Sequence, residues 1–160
     1  MAGIFQASDV IKAAVEIETR GEKFYKHLAD HATDPETRAL FEHLRTEESR
    51  HREVFRAMGE RLEPFQIPAG ADEAEYLAYL NVMLDNHELF MPMTVMSAGQ
   101  NRQEAIHIAM RFEKDTMLFF MEMREMVPQS KRAVIDQCVD EERGHLKLLT
   151  KMLPPVPAEA

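Results

Sequence analysis

Thr46-Glu47-Glu48-Ser49-Arg50-His51 returns later in the chain as Asp140-Glu141-Glu142-Arg143-Gly144-His145. Each copy contains Glu-x-x-His, and residues three apart on a helix share a face. A carboxylate and an imidazole projecting side by side make half of a metal site. Two such halves, each joined by a lone Glu from a neighbouring helix, make a two-metal site inside a four-helix bundle. The rest of the chain must then supply two further carboxylates and turn all six groups inward.

The apolar periodicity supplies them. Ser8-Asp9 opens a periodic stretch running to about Asp30, with Ile11, Ala14, Glu18, Gly21, Tyr25 and Leu28 at steps of three and four. Asp34-Pro35 opens a second helix, where Pro35 stands in the first turn and its missing N–H costs nothing. Its stripe is Phe41, Leu44, Glu48, His51, Phe55 and Met58. Asn101-Arg102-Gln103-Glu104 is a capping box for a helix that runs to about Met126, with the stripe Ile106, Ala109, Glu113, Thr116, Phe120 and Met123. A last helix, from about Ser130 to Met152, gives Ile135, Cys138, Glu142, His145, Leu149 and Met152.

Shifting the first helix by 95 residues sets Glu18 on Glu113, and shifting the second by 94 sets Glu48 on Glu142 and His51 on His145. The chain therefore reads as an all-α bundle of four helices, one domain over 1–160, made of a repeated helical hairpin (8–59 and 101–153). A long, partly helical crossover (60–100) joins the copies, and a Pro-rich tail (154–160) is expected to fray. Within the crossover, Asp72-Glu73-Ala74-Glu75 offers a capping box for a helix from about Glu73 to Phe90, stopped by Pro92. Met93 to Gly99 has no clear pattern.

Composition narrows the function classes. A net charge of −9 argues against nucleic-acid or anionic-membrane partners. The one cysteine, Cys138, forms no intramolecular disulfide, and without a Cys-x-x-Cys pair the sequence holds no rubredoxin-type iron. The N-terminus lacks a charged segment followed by an apolar one, and no apolar run is long enough to span a bilayer, so the expected location is cytoplasmic.

Taken singly, each ligand-type residue has a plainer reading: a lone His on an apolar stripe is usually a hydrogen-bonded core residue, and a lone Glu there often lies at a bundle end. Six at repeat-related positions are different. Burying four carboxylates with only two imidazoles to satisfy them costs several kcal/mol each, and no Lys or Arg occupies these stripes. Two divalent cations neutralise the set, about 3.5–4 Å apart in the usual dinuclear geometry. His27, His31, His43, His87 and His107 fall off the stripes and are read as solvated or structural, and Cys138 as a small buried hydrophobe. Tyr25, two turns after Glu18, is a candidate hydroxyl donor to a metal-bound carboxylate as well as a candidate core aromatic. Gly21 and Gly144 each cost about 1 kcal/mol mid-helix and are candidates for space beside the metals.

These residues resemble the ferritin-like carboxylate proteins, and specifically the rubrerythrin branch. The resemblance is carried by EIETRGEKFYKHLADHATDPETRALFEHLRTEESRH, with its echo in IAMRFEKDTMLFFMEM and VDEERGH. It implies a ferritin-like four-helix bundle with Glu18 and Glu113 as terminal carboxylates, Glu48 and Glu142 as bridging ones, and His51 and His145 as imidazole ligands. The implied cofactor is two iron ions, with zinc or manganese as other divalent occupants. The implied activity is that of an oxidoreductase reacting with peroxide or dioxygen, with electrons from a separate donor protein. A homodimer is implied as well, the crossover helix being a candidate interface. Two features depart from the family pattern: rubrerythrins of full length append a rubredoxin domain with four cysteines, and they carry a further carboxylate where Thr116 and Met117 stand here. Other readings stay open: a ferroxidase or iron carrier, a hydroxylase using the same ligand set, or a non-catalytic helical module with a structural metal.

Overall fold

A computed structural model describes residues 9–60, 66–90 and 101–154. Five α-helices and one 3₁₀ turn make up the described structure: α1 (Asp9–His31), α2 (Pro35–Gly59), α3 (Glu73–Asp85), a 3₁₀ turn (Glu88–Phe90), α4 (Arg102–Met126) and α5 (Gln129–Lys151). Ser8, Pro64, Pro92, Met93 to Gly99 and the tail after Pro154 lie outside the described residues.

The helix starts are chemical. Asp34 Oδ1 accepts from Thr37 N at 2.8 Å, Asp72 Oδ1 from Glu75 N at 2.9 Å, and Asn101 Oδ1 from Gln103 N at 2.9 Å. Each satisfies an amide that the helix itself leaves unpaired, a contribution of about 1 kcal/mol. α5 has no side-chain cap; Pro128 precedes it, and it begins at Gln129, one residue earlier than the pattern predicts.

α1 packs along α2 and α4 along α5, which makes the two hairpins of the repeat, while α3 and the 3₁₀ turn lie against α4. The predicted stripes point inward: Phe41, Leu44, Phe55 and Met58 of α2, and Ile106, Ala109, Thr116, Phe120 and Met123 of α4, are all buried. Two stripe positions are corrected. Ile11 is only partly buried while its neighbour Val10 is fully so, and Met152 sits half-buried just past the end of α5. α1 and α4 also bury Ile17, Phe24, Ile108, Phe112 and Phe119, because each is covered on more than one side.

The crossover helix is shorter than expected and ends at Asp85 instead of Phe90. The Asn86 side-chain amide donates to Val82 O at 2.8 Å, the carbonyl that its own backbone N–H also uses. Local side-chain bonding of this kind competes with helix continuation. The next residues bond α4 instead: His87 shares a hydrogen bond with Thr116 Oγ1 at 3.1 Å, and Glu88 N donates to Asp115 Oδ2 at 3.0 Å. Arg111 holds the Glu88 carboxylate through two nitrogens, at 3.0 and 3.2 Å.

Candidate metal centre

All six ligand-type stripe residues converge. Glu18 of α1, Glu48 and His51 of α2, Glu113 of α4 and Glu142 of α5 are fully buried, and His145 of α5 is 3% exposed. Their donor atoms form two sets, each within 4.8 Å throughout: Glu18, Glu48, His51 and Glu142 make one, and Glu48, Glu113, Glu142 and His145 make the other. Glu48 and Glu142 belong to both. The helix repeat thus yields two four-residue pockets that share one carboxylate from α2 and one from α5.

Seven of the eight carboxylate oxygens and the Nδ1 atoms of both histidines are buried without a hydrogen-bond partner. His51 Nδ1 approaches Glu142 Oε1 at 2.9 Å and Glu18 Oε1 at 3.8 Å; His145 Nδ1 approaches Glu142 Oε2 at 2.9 Å, Glu113 Oε2 at 3.5 Å and Glu48 Oε1 at 3.6 Å. Among the described residues no Lys or Arg nitrogen pairs with any of the four carboxylates. Folded proteins rarely leave polar atoms unpaired in the core, and several lone pairs facing one another need a cation between them. All-oxygen-and-imidazole donor sets of this kind suit iron, manganese or zinc.

In metal-free protein, protons have to take the cation's place. Burial, reinforced by the charge of Glu142, pushes Glu113 up to about 8. Glu18 and Glu48 are raised well above the usual carboxylate range by burial above all. Burial would depress the imidazoles, but Glu142 outweighs it at His51, raised to about 9, and Glu113 outweighs it at His145, raised to about 11. Each of these groups holds its proton more tightly folded than unfolded. Above the unfolded-state values, the folded metal-free state therefore binds more protons, so its stability falls as pH rises. The slope is about 1.4 kcal/mol per pH unit for each retained proton. Thermal melts of chelated protein should drop steadily from pH 6.5 to 9, whereas metal-loaded protein, its ligands already deprotonated, should not follow. Parallel profiles would contradict the cluster's burial.

Several residues outside the six shape the site. Tyr25 Oη, fully buried, donates to Glu113 Oε1, the one carboxylate oxygen that has a partner. The sequence left this hydroxyl as a candidate donor to a carboxylate or part of a core aromatic; its acceptor is on α4, not on Tyr25's own helix. Sequence reasoning missed Glu141, which faces His51 Nε2 at 2.7 Å and accepts from Arg50 Nη2 at 2.7 Å. His87, read from the sequence as solvated or structural, is structural: it is 2% exposed and lowered to about 4 by burial and then by the charge of Arg20, hence neutral at pH 7. Its ring stands edge-on to Phe112 at 5.9 Å. His43, His31 and His107 are exposed, as expected. Cys138 is a buried thiol near His51 and Glu141, and burial pushes it up to about 12, which suits a small hydrophobe better than a nucleophile.

The two mid-helix glycines differ. A Cβ on Gly21 would lie 2.7 Å from Phe112 Cζ and 3.0 Å from Glu48 Oε2, whereas one on Gly144 would meet nothing within 4 Å. Gly21 therefore admits the Glu48 carboxylate and the Phe112 ring; Gly144 has no such duty. Gly21→Ala should destabilise by about 1–3 kcal/mol, overpacking exceeding the gain in helix propensity, and should weaken metal binding by shifting Glu48. Gly144→Ala should stabilise by up to about 1 kcal/mol. Melting curves of the two variants check the opposite signs.

No helix among the described residues is long and apolar enough to cross a membrane. Comparison with the curated proteins and with the solved structures gave no match. The rubrerythrin family model matches residues 9–153, a span that takes in all six ligand-type residues and both hairpins of the ferritin-like bundle that carries them, and the chain belongs to the rubrerythrin family.

Proposed function

We propose that the protein is a di-iron oxidoreductase that reduces peroxide or dioxygen with electrons from a separate donor protein. The observation that carries this reading is the pair of four-residue donor sets sharing Glu48 and Glu142, with nine donor atoms unpaired in the core. The family's di-iron chemistry supports iron as the occupant, with zinc or manganese as alternative fillings. Glu18 and Glu113 would be terminal carboxylates, Glu48 and Glu142 shared ones, and His51 and His145 the neutral ligands. A pair of redox metals held there supplies two one-electron equivalents, the number that reduces peroxide to two waters when two protons are delivered.

The chain's own residues do the rest. Four rigid helices fix the spacing of the carboxylates, and Phe24, Phe55, Phe112 and Phe120, all fully buried, keep bulk water out. Tyr25 keeps its proton, because burial raises its pKa well above the usual phenol value, and holds Glu113 in one orientation. Residues 1–160 act as one domain, in the cytoplasm and as a homodimer, a reading supported by exposed Tyr79 and Val82 on α3 and by exposed Leu118 and Met121 on α4, near Glu122, which accepts from Tyr76 of α3.

Metal analysis of anaerobically purified protein, followed by spectra on adding peroxide and then O₂, tests the reading. Two irons per chain with fast peroxide-driven oxidation are expected. Accumulation of many irons per chain would favour iron handling instead, and a bound metal inert to both oxidants would favour a structural role.

A further inference from the structure

The two hexapeptides that carry the Glu-x-x-His pairs differ at their first, fourth and fifth positions; at the fifth, Arg50 stands in one and Gly144 in the other, while Arg143, at the fourth position of the second copy, pairs with Asp140 of its own helix. In a repeated site the outer nitrogen of each His should meet the same partner: the Glu that precedes the ligand Glu of the opposite copy. The structure shows only one of these contacts. His51 Nε2 lies 2.7 Å from Glu141 Oε2, leaving Nδ1 to face Glu142 and Glu18. Glu141 is itself fixed, accepting from Arg50 Nη2 at 2.7 Å and, on its other oxygen, from Gln137 Nε2 at 3.0 Å.

Glu47, the counterpart of Glu141, accepts from the same Arg50 nitrogen at 2.9 Å. His145 Nε2 has no hydrogen-bond partner among the described residues. One guanidinium thus ties both outer glutamates to the seam on His51's side. Where a second arginine would do the same for His145, Gly144 leaves open space.

We propose that Arg50 and Glu141 form a positioning clamp that fixes the ring plane and Nδ1-ligating tautomer of His51 but not of His145, making the two metal positions unequal. The inference rests on the six residues being the ligand set. A carboxylate that accepts the outer N–H of a metal-bound imidazole orients the ring and raises its basicity, an effect of about 10–100-fold in metal affinity. The clamp favours the position at Glu18 and His51. Glu141 and Arg50 lie outside the two four-residue donor sets, so their effect on those sets passes through His51.

The test is anaerobic stepwise titration of the chelated full-length protein with Zn(II), together with nitrogen NMR of the zinc-loaded protein to read the tautomer of each histidine. His51 should carry its proton on Nε2, with slow exchange. Glu141→Ala should weaken one binding step by about 10–100-fold, leave the other, and speed exchange of the His51 ring proton. Glu141→Gln, which keeps an acceptor oxygen, should recover much of the loss. Glu47→Ala should leave both steps in place. Arg50→Gly combined with Gly144→Arg moves the guanidinium into the open space of the other copy and should transfer the slow ring proton to His145. Equal effects of Glu141→Ala and Glu47→Ala, or a His51 tautomer with its proton on Nδ1, would overturn the clamp while leaving the metal site standing. Failure of the unaltered protein to take up two zinc ions would instead overturn the ligand set itself.

Discussion

Glutamine at Glu48 or at Glu142 should cost the protein both metals, whereas glutamine at Glu18 or Glu113 should cost it one. The reason is the sharing of donors: Glu48 and Glu142 stand in both four-residue sets, and Glu18 and Glu113 in one each. Glutamine keeps the shape of the side chain and removes its charge, so the loss should exceed the roughly 10–100-fold typical of a residue outside the ligand set. Stability separates this from a packing defect. A neutral amide escapes the cost of ionising a buried carboxylate, so the chelated Glu48→Gln variant should melt above chelated unaltered protein at alkaline pH. Metal-loaded unaltered protein should melt above both. Stepwise metal titration and melting of the four single variants check the pattern. Four variants with one common defect would mean that the cluster acts as a single packed unit instead of two joined pockets.

Much of this centre was legible in the sequence because a buried ligand obeys the same periodicity as a core residue. Glu18, Glu48, His51, Glu113, Glu142 and His145 occupy stripe positions otherwise held mostly by apolar residues, and the structure buries all six. What the stripes could not show depends on neighbours along another helix. Glu141 lies outside the α5 stripe, and its role comes from α2 bringing His51 and Arg50 to it. The hexapeptide alignment held a signal, Arg50 against Gly144, but only the pairing of α2 with α5 gives it meaning. The early end of α3 was illegible for a related reason. Bonds from His87 and Glu88 to α4 replaced helix hydrogen bonds that local propensity alone would have continued. His87 lies in the crossover, outside the repeat, so no counterpart flagged it.

Tyr25→Phe should change the metal chemistry while leaving the fold almost untouched. Tyr25 packs against Phe24 at 5.3 Å, Phe112 at 5.8 Å and, stacked, Phe41 at 6.2 Å, and phenylalanine preserves each contact. Its repeat counterpart is Phe120, which already fills that place in the other half beside Phe55 at 4.7 Å. The substitution therefore removes one oxygen and restores the symmetry of the repeat. It also leaves Glu113 Oε1, the only carboxylate oxygen of the cluster with a partner, without one. In metal-free protein that orphaned oxygen should cost about 1–3 kcal/mol. In loaded protein the freed carboxylate can rotate, and affinity or reoxidation rate should shift by about 10–100-fold. The change should fall on the position at Glu113 and His145, opposite the one that Glu141 supports, so effects of Tyr25→Phe and Glu141→Ala should appear in different steps of a titration and nearly add. Unaltered stepwise binding and unaltered oxidation kinetics in Tyr25→Phe would make Tyr25 an ordinary core aromatic whose hydroxyl merely found the nearest acceptor.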